Sequence, residues 1–160
     1  MDANGGFSFE EAKTVLLELH ELKIHSIEQP IKAGNWEQME KLCSDTPTSI
    51  ALDEELIGVV TLRKKQELLE KINPQYIILK PSLIGGFSGS NEWISLAENM
   101  GIGWWITSAL ESNIGLNAIA QYTFSKNPKI PQGLGTGGLF TNNFETGLEL
   151  LGDQLSIKKV

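Results

Sequence analysis

Apolar residues recur along this chain in two alternating rhythms. Over residues 8–22, Ala12, Val15, Leu16 and Leu19 fall at helical spacing, and Ser8-Phe9-Glu10-Glu11 opens the run with a capping-box pattern. Residues 23–29 follow as a short strand-like run stopped by Pro30. The pair then repeats. A helix over 35–43, with Trp36, Met39 and Leu42 on one face, leads to a strand over 48–53. A helix over 61–72, with Leu62, Leu69 and Ile72 inward, breaks at Asn73-Pro74 and leads to a strand over 76–80. A helix over 91–100, ended by Gly101, leads to a strand over 104–108. A helix over 112–124, a short segment over 133–136 and a last helix near 144–151 complete the pattern.

Strict alternation of helix and strand predicts an α/β fold with a parallel sheet and crossover helices. The predicted strands end at Glu28, Asp53, Lys80 and Ser108, at intervals of 25, 27 and 28 residues, and Asp2 lies 26 residues before Glu28. So regular a repeat favours a (β/α) barrel over an open doubly wound sheet, because a barrel gathers every strand C-terminus at one mouth. A complete barrel takes about 250 residues. The 160 residues here supply about five or six βα units, so the expected fold is a partial (β/α)8 barrel of the TIM type.

Composition narrows the function classes. With 13 basic and 20 acidic residues the net charge is −7, which leaves no basic face for a phosphate backbone and predicts no nucleic-acid partner. No uncharged apolar run approaches the length needed to cross a bilayer, so no membrane partner is expected. The start Met1-Asp2-Ala3-Asn4-Gly5-Gly6 lacks signal-peptide form, which predicts a cytoplasmic protein. Cys43 is the single cysteine; it excludes an internal disulfide and reads as a buried thiol in the second helix.

The polar strand ends carry the candidate chemistry. Side chains alternate across a strand, so Glu28 shares a face with Ile24 and Ser26, Asp53 with Ser49 and Ala51, and Lys80 with Tyr76 and Ile78. His25 takes the opposite parity, towards the helix layer, and His20 sits within the first helix; both read as packing or rim residues. Asp2 precedes the turn-like Asn4-Gly5-Gly6, where a strand top belongs. Three carboxylates at one mouth repel one another unless a cation lies among them, and an all-oxygen donor set suits magnesium better than zinc. A lysine facing a dry mouth can have its pKa lowered towards proton transfer, and beside a magnesium ion it can offset developing negative charge. Magnesium with a lysine points to proton abstraction next to a carboxylate, hence to a small-molecule carboxylate substrate.

Gly133-Leu134-Gly135-Thr136-Gly137-Gly138 lacks the spacing of a dinucleotide fingerprint. It reads as a tight turn near the substrate, with Gly135 and Thr136 in the turn and Thr107 and Ser108 on the neighbouring strand as candidate substrate-binding groups. Only Ser108 has the parity of Trp104 and Ile106, and which of those faces lines the mouth is open at this level.

The segments Asp2-Ala3-Asn4-Gly5, Ile27-Glu28-Gln29-Pro30, Ala51-Leu52-Asp53-Glu54, Leu79-Lys80-Pro81 and Ser108-Ala109-Leu110-Glu111-Ser112-Asn113-Ile114-Gly115-Leu116 resemble the enolase superfamily, in its muconate-lactonizing-enzyme-like subgroup. The resemblance covers essentially the whole chain. It implies that residues 1–160 are the C-terminal barrel portion of such an enzyme, without its capping domain and first strands. It implies Asp2, Glu28 and Asp53 as magnesium ligands and Lys80 as the catalytic cation facing the base across the substrate. The implied reaction is a syn-dehydration of 2-succinyl-6-hydroxy-2,4-cyclohexadiene-1-carboxylate in menaquinone biosynthesis. N-acylamino acid racemisation and dipeptide epimerisation use the same residues and stand as alternatives, as does a catalytically silent folding or interaction fragment. The proton-abstracting lysine belongs to a Lys-x-Lys strand one unit before Asp2, which these residues do not contain. An incomplete barrel is expected to be inactive alone, and to associate with itself or with the missing N-terminal portion.

Overall fold

The computed structural model describes residues 1–144 and 146–157. Four parallel strands, β1 (Ile27–Glu28), β2 (Ile50–Leu52), β3 (Tyr76–Leu79) and β4 (Gly103–Ile106), lie side by side in chain order. Parallel bridges Asp2↔Glu28 and Thr107↔Gly133 add one strand position at each side. The order never reverses, so the sheet is singly wound like a barrel wall and has no switch point.

Helices α1 (Phe9–Glu21), α2 (Trp36–Asp45), α3 (Leu62–Ile72), α4 (Gly86–Asn99) and α5 (Asn113–Ser125) join successive strand positions. The capping box of α1 is formed: Ser8 Oγ accepts the Glu11 N–H and Glu11 accepts the Ser8 N–H at 2.9 Å. The core lies between helices and sheet, where Leu16, Met39, Leu42, Leu68, Leu69 and Trp93 meet Ile27, Ile50, Leu52, Ile77, Leu79 and Ile106. Cys43 is buried in α2 as expected, and burial pushes its thiol up to about 12.

Several boundaries differ from the sequence expectation. Leu62 is exposed, and the inward face of α3 carries Lys65 with Leu68, Leu69 and Ile72. Lys65 is 1% exposed and is held by Glu92 at 2.8 Å, by the Gly89 carbonyl at 3.1 Å and by the face of Trp93. Such partners let a charge replace a leucine at a helical core position. Helix α4 starts at Gly86, well before Asn91. Its first turns hold two glycines for different reasons: Gly86 has φ +68°, and at Gly89 the chain is crowded, since a Cβ there would lie 2.2 Å from the Ile84 carbonyl oxygen. Close packing overrides the poor helix propensity of glycine.

Of the helix expected near 144–151, residue 145 lies outside the described residues, 144, 146 and 147 are irregular, and 148–151 form a strand. β5 (Leu148–Leu151) pairs antiparallel with β6 (Gln154–Ile157) across Gly152-Asp153, where Gly152 has φ +62°. The turn residues close a hairpin too short for a helix to compete. His25 precedes β1, so strand parity does not extend to it; its ring packs against Tyr76, with centroids 4.9 Å apart. His20 is exposed on α1.

Candidate active site

Strand register decides which side chains share the mouth. Glu28 pairs with Ala51, Ala51 with Tyr76, and Tyr76 with Gly103. Paired residues in a parallel ladder point the same way. Glu28, Asp53 and Lys80 therefore share one face with Thr107, whose N–H donates to the Leu79 carbonyl at 3.0 Å. Trp104 and Ile106 face the helices: the Trp104 indole N–H donates to Glu98 of α4, and Ile106 is fully buried. That settles the parity left open by the sequence in favour of Thr107.

Lys80 Nζ forms an ion pair with Asp53 and lies 4.0 Å from Glu28. The Asp53 side chain is 2% exposed, against 21% for Glu28 and 22% for Lys80. Burial, a hydrogen bond with Asp53 and the charges of Asp2 and Asp53 push the Glu28 carboxyl up to about 8. Burial also works to lower the Lys80 pKa, but Asp53, Glu28 and Glu54 outweigh it and hold the amine above its ordinary range. The lowered lysine pKa expected from sequence is thus reversed: the pairing with Asp53, with Glu28 and Glu54 nearby, outweighs burial.

Asp2 is close enough to raise Glu28, yet its Oδ1 accepts the Asn4 N–H at 2.8 Å. Among the described residues no three histidine, cysteine, aspartate or glutamate side chains are set to hold a metal ion. The expected convergence of Asp2, Glu28 and Asp53 is therefore a charge cluster here, with the Lys80 ammonium supplying the positive charge. In kind, the donors still fit a hard divalent cation: all are carboxylate oxygens on three adjacent strand ends, and burial together with their mutual repulsion already costs Glu28 its ordinary acidity.

The second group of predicted residues is also brought together, though with one another. Thr107 Oγ1 donates to the Gly133 carbonyl at 2.7 Å, and the Ser108 and Thr136 hydroxyls are hydrogen-bonded. Gly135 opens a short 3-10 turn (Gly135–Gly138) and has open space where a Cβ would be. Asn143 donates to the Gly137 carbonyl at 3.0 Å and accepts from the Asn113 N–H at 2.9 Å, tying that turn to the start of α5.

Sequence reasoning missed two acids at this mouth. Ser82 donates to Glu111, and one Glu111 oxygen is buried without a partner. Burial pushes that carboxyl up, but hydrogen bonds from Ser82, backbone groups and Ser108 outweigh it and leave it below the usual range. Glu54 likewise has a buried oxygen without a partner, and burial with the nearby Asp53 charge raises it. The run Asp53-Glu54-Glu55 was a signal: three consecutive acids beside an apolar strand cannot all be solvated.

Comparison with known proteins gives consistent results. The family described as Enolase C-terminal domain-like matches residues 1–144. The o-succinylbenzoate synthase of Desulfotalea psychrophila is 53% identical over 98% of this chain, which covers 42% of that protein. The L-Ala-D/L-Glu epimerase of Bacillus subtilis is 30% identical over 79% of the chain, covering 34% of that protein. Among solved structures, MenC from Desulfotalea psychrophila superposes over 98% of the chain and 44% of its own, at a TM-score of 0.94 and 53% identity. The substrate-liganded Bacillus subtilis epimerase superposes over 98% of the chain and 44% of its own, at 0.84 and 26% identity. The chain thus spans less than half the length of the relatives it matches, and its fold is a segment of their barrel.

Proposed function

We propose that this chain, which belongs to the Enolase C-terminal domain-like family, carries the acidic and cationic side of an o-succinylbenzoate synthase site. The reaction removes water from 2-succinyl-6-hydroxy-2,4-cyclohexadiene-1-carboxylate: a proton leaves the carbon next to the carboxylate and the hydroxyl departs with it. The observation that carries this reading is the placement of Lys80, whose ammonium pairs with Asp53 and lies 4.0 Å from Glu28 on adjacent strand ends. A fixed cation is suited to offset charge gathering on substrate oxygens as the proton leaves, whereas a neutral amine would suit the base. The base is a lysine outside these 160 residues.

Asp2, Glu28 and Asp53 would hold a magnesium ion, and the bound ion would stabilise negative charge on the substrate carboxylate. Lys80, on the same face as these carboxylates, would present its ammonium to the substrate. Thr107, on the face of Lys80, would receive the substrate's polar groups, with Ser108 beside it hydrogen-bonded to Thr136 of the turn that Gly135 opens. The setting is cytoplasmic, consistent with the menaquinone pathway, and no described helix is long and apolar enough to cross a membrane. Dipeptide epimerisation is a second reading, favoured by the 30% identity to the Bacillus subtilis enzyme.

The test is a chimera in which this chain replaces the segment it matches in the Desulfotalea psychrophila protein. Conversion of the cyclohexadiene substrate, with no epimerisation of L-Ala-D/L-Glu, supports the synthase. A soluble, folded chimera that epimerises the dipeptide and leaves the cyclohexadiene intact overturns it.

A further inference from the structure

Gln29 stands between Glu28 and Pro30, has no solvent exposure, and adopts φ +38°. A non-glycine residue pays for that backbone conformation, which persists only where its surroundings over-determine it. The surroundings here are three strand ends. The Gln29 carbonyl accepts the N–H of Gly5, in the turn after Asp2, at 2.7 Å. Its own N–H donates to the carbonyl of Ala51, two residues before Asp53, at 2.9 Å. Its side-chain Oε1 accepts the N–H of Asp53 at 3.2 Å and that of Glu55 at 3.4 Å.

The amide nitrogen is equally committed. Gln29 Nε2 donates to the Ile31 carbonyl at 3.1 Å and to Glu55 Oε2 at 3.0 Å, and Glu55 Oε1 accepts the Gly34 N–H at 2.7 Å. Glu55 is 4% exposed. One buried residue thus ties the β1 end to the β2 end through its side-chain amide and to the turn after Asp2 through its backbone carbonyl. A hydrophobic residue of this size would fill the space but leave the Asp53 and Glu55 N–H groups and Glu55 Oε2 unpaired.

We propose that Gln29 is a positioning residue that, with Glu55, sets the separation of the Asp2, Glu28 and Asp53 carboxylates. The inference rests on the reading of those three as ion ligands. It assigns to Gln29 the part played by groups that orient ligands without touching the ion, whose loss typically weakens binding by about 10- to 100-fold.

Magnesium chloride binding to the chain, measured by calorimetry at a temperature where circular dichroism shows every variant folded, tests it. Gln29→Met should raise the Kd by about 10- to 100-fold. Gln29→Glu, which sets a second carboxylate against Glu55, should do the same. The exchanged pair, Gln29→Glu with Glu55→Gln, should recover most of the affinity, because a donor again faces an acceptor. A Kd unchanged in folded Gln29→Met, with only the thermal midpoint lowered, would show a purely structural role and overturn the proposal. Should Gln29→Met not fold, Glu55→Gln decides in its place: a raised Kd supports the proposal and an unchanged Kd overturns it. Absence of binding by the wild-type chain at millimolar magnesium would instead overturn the reading of the carboxylates as ligands, and the inference with it.

Discussion

Raising the pH of the ion-free chain from 5 to 9 should cost it about 4 kcal/mol of stability through Glu28 alone. Burial, the hydrogen bond with Asp53 and the charges of Asp2 and Asp53 hold this carboxyl at about 8, against 4.5 as the ordinary value. The folded chain therefore binds the proton more tightly than the unfolded one. Glu28's contribution is fully present below pH 4.5 and is lost as pH rises through 8. Between those limits stability should fall by about 1.4 kcal/mol per pH unit and then level off. Glu54, raised by burial, adds in the same direction. Groups of opposite sign stay outside the window: Glu11 and Glu111 are lowered from 4.5, so their contributions are lost only in acid. Lys80 is raised from 10.5, so its contribution lasts beyond pH 9. Urea unfolding in the presence of a chelator, at unit steps of pH, should show this slope in the wild type and little of it in Glu28→Gln. Parallel loss in both proteins would mean that Glu28 is not the protonated member of the cluster, and the electrostatic account of the site would fail.

The same proton gives a binding prediction: magnesium should displace close to one proton at pH 7 and almost none at pH 9, read from calorimetry in buffers of different ionisation enthalpy. In the chimera, Lys80→Met should remove most turnover while leaving magnesium affinity within a few-fold, since the ammonium acts on substrate charge; near-wild-type turnover would place Lys80 outside the chemistry. Glu92→Gln should destabilise the chain by about 1.5–3 kcal/mol in denaturant unfolding, because the buried Lys65 ammonium loses its counter-charge and keeps only neutral acceptors and an indole face. Cys43, buried with its thiol pushed up to about 12, should resist aromatic disulfide reagents in the folded chain and react at once in urea; rapid labelling without denaturant would contradict the packing of α2.

The alternation of helix and strand, the sites of Glu28, Asp53 and Lys80 at strand ends, and the capped start of α1 were legible in residue order. Each depends on neighbours within a few positions, through side-chain period, proline and glycine stops, or a local hydrogen bond. The start of α4 was not legible, because Gly89 sits in the helix where Ile84 and Lys65 press against it, a contact between segments far apart or folded back on one another. Nor was the hairpin of β5 and β6, since its leucines suit either period until a partner strand is chosen. Which hydroxyl shares the face of Lys80 depended on the register between β3 and β4, a relation between segments that neither contains. The charge state of Lys80 and the burial of Gln29 were decided the same way. By itself the sequence determined which groups reach the mouth of the barrel wall. Only the tertiary structure decided what those groups do to one another, because proton affinity and desolvation depend on distances across strands and not on spacing along the chain.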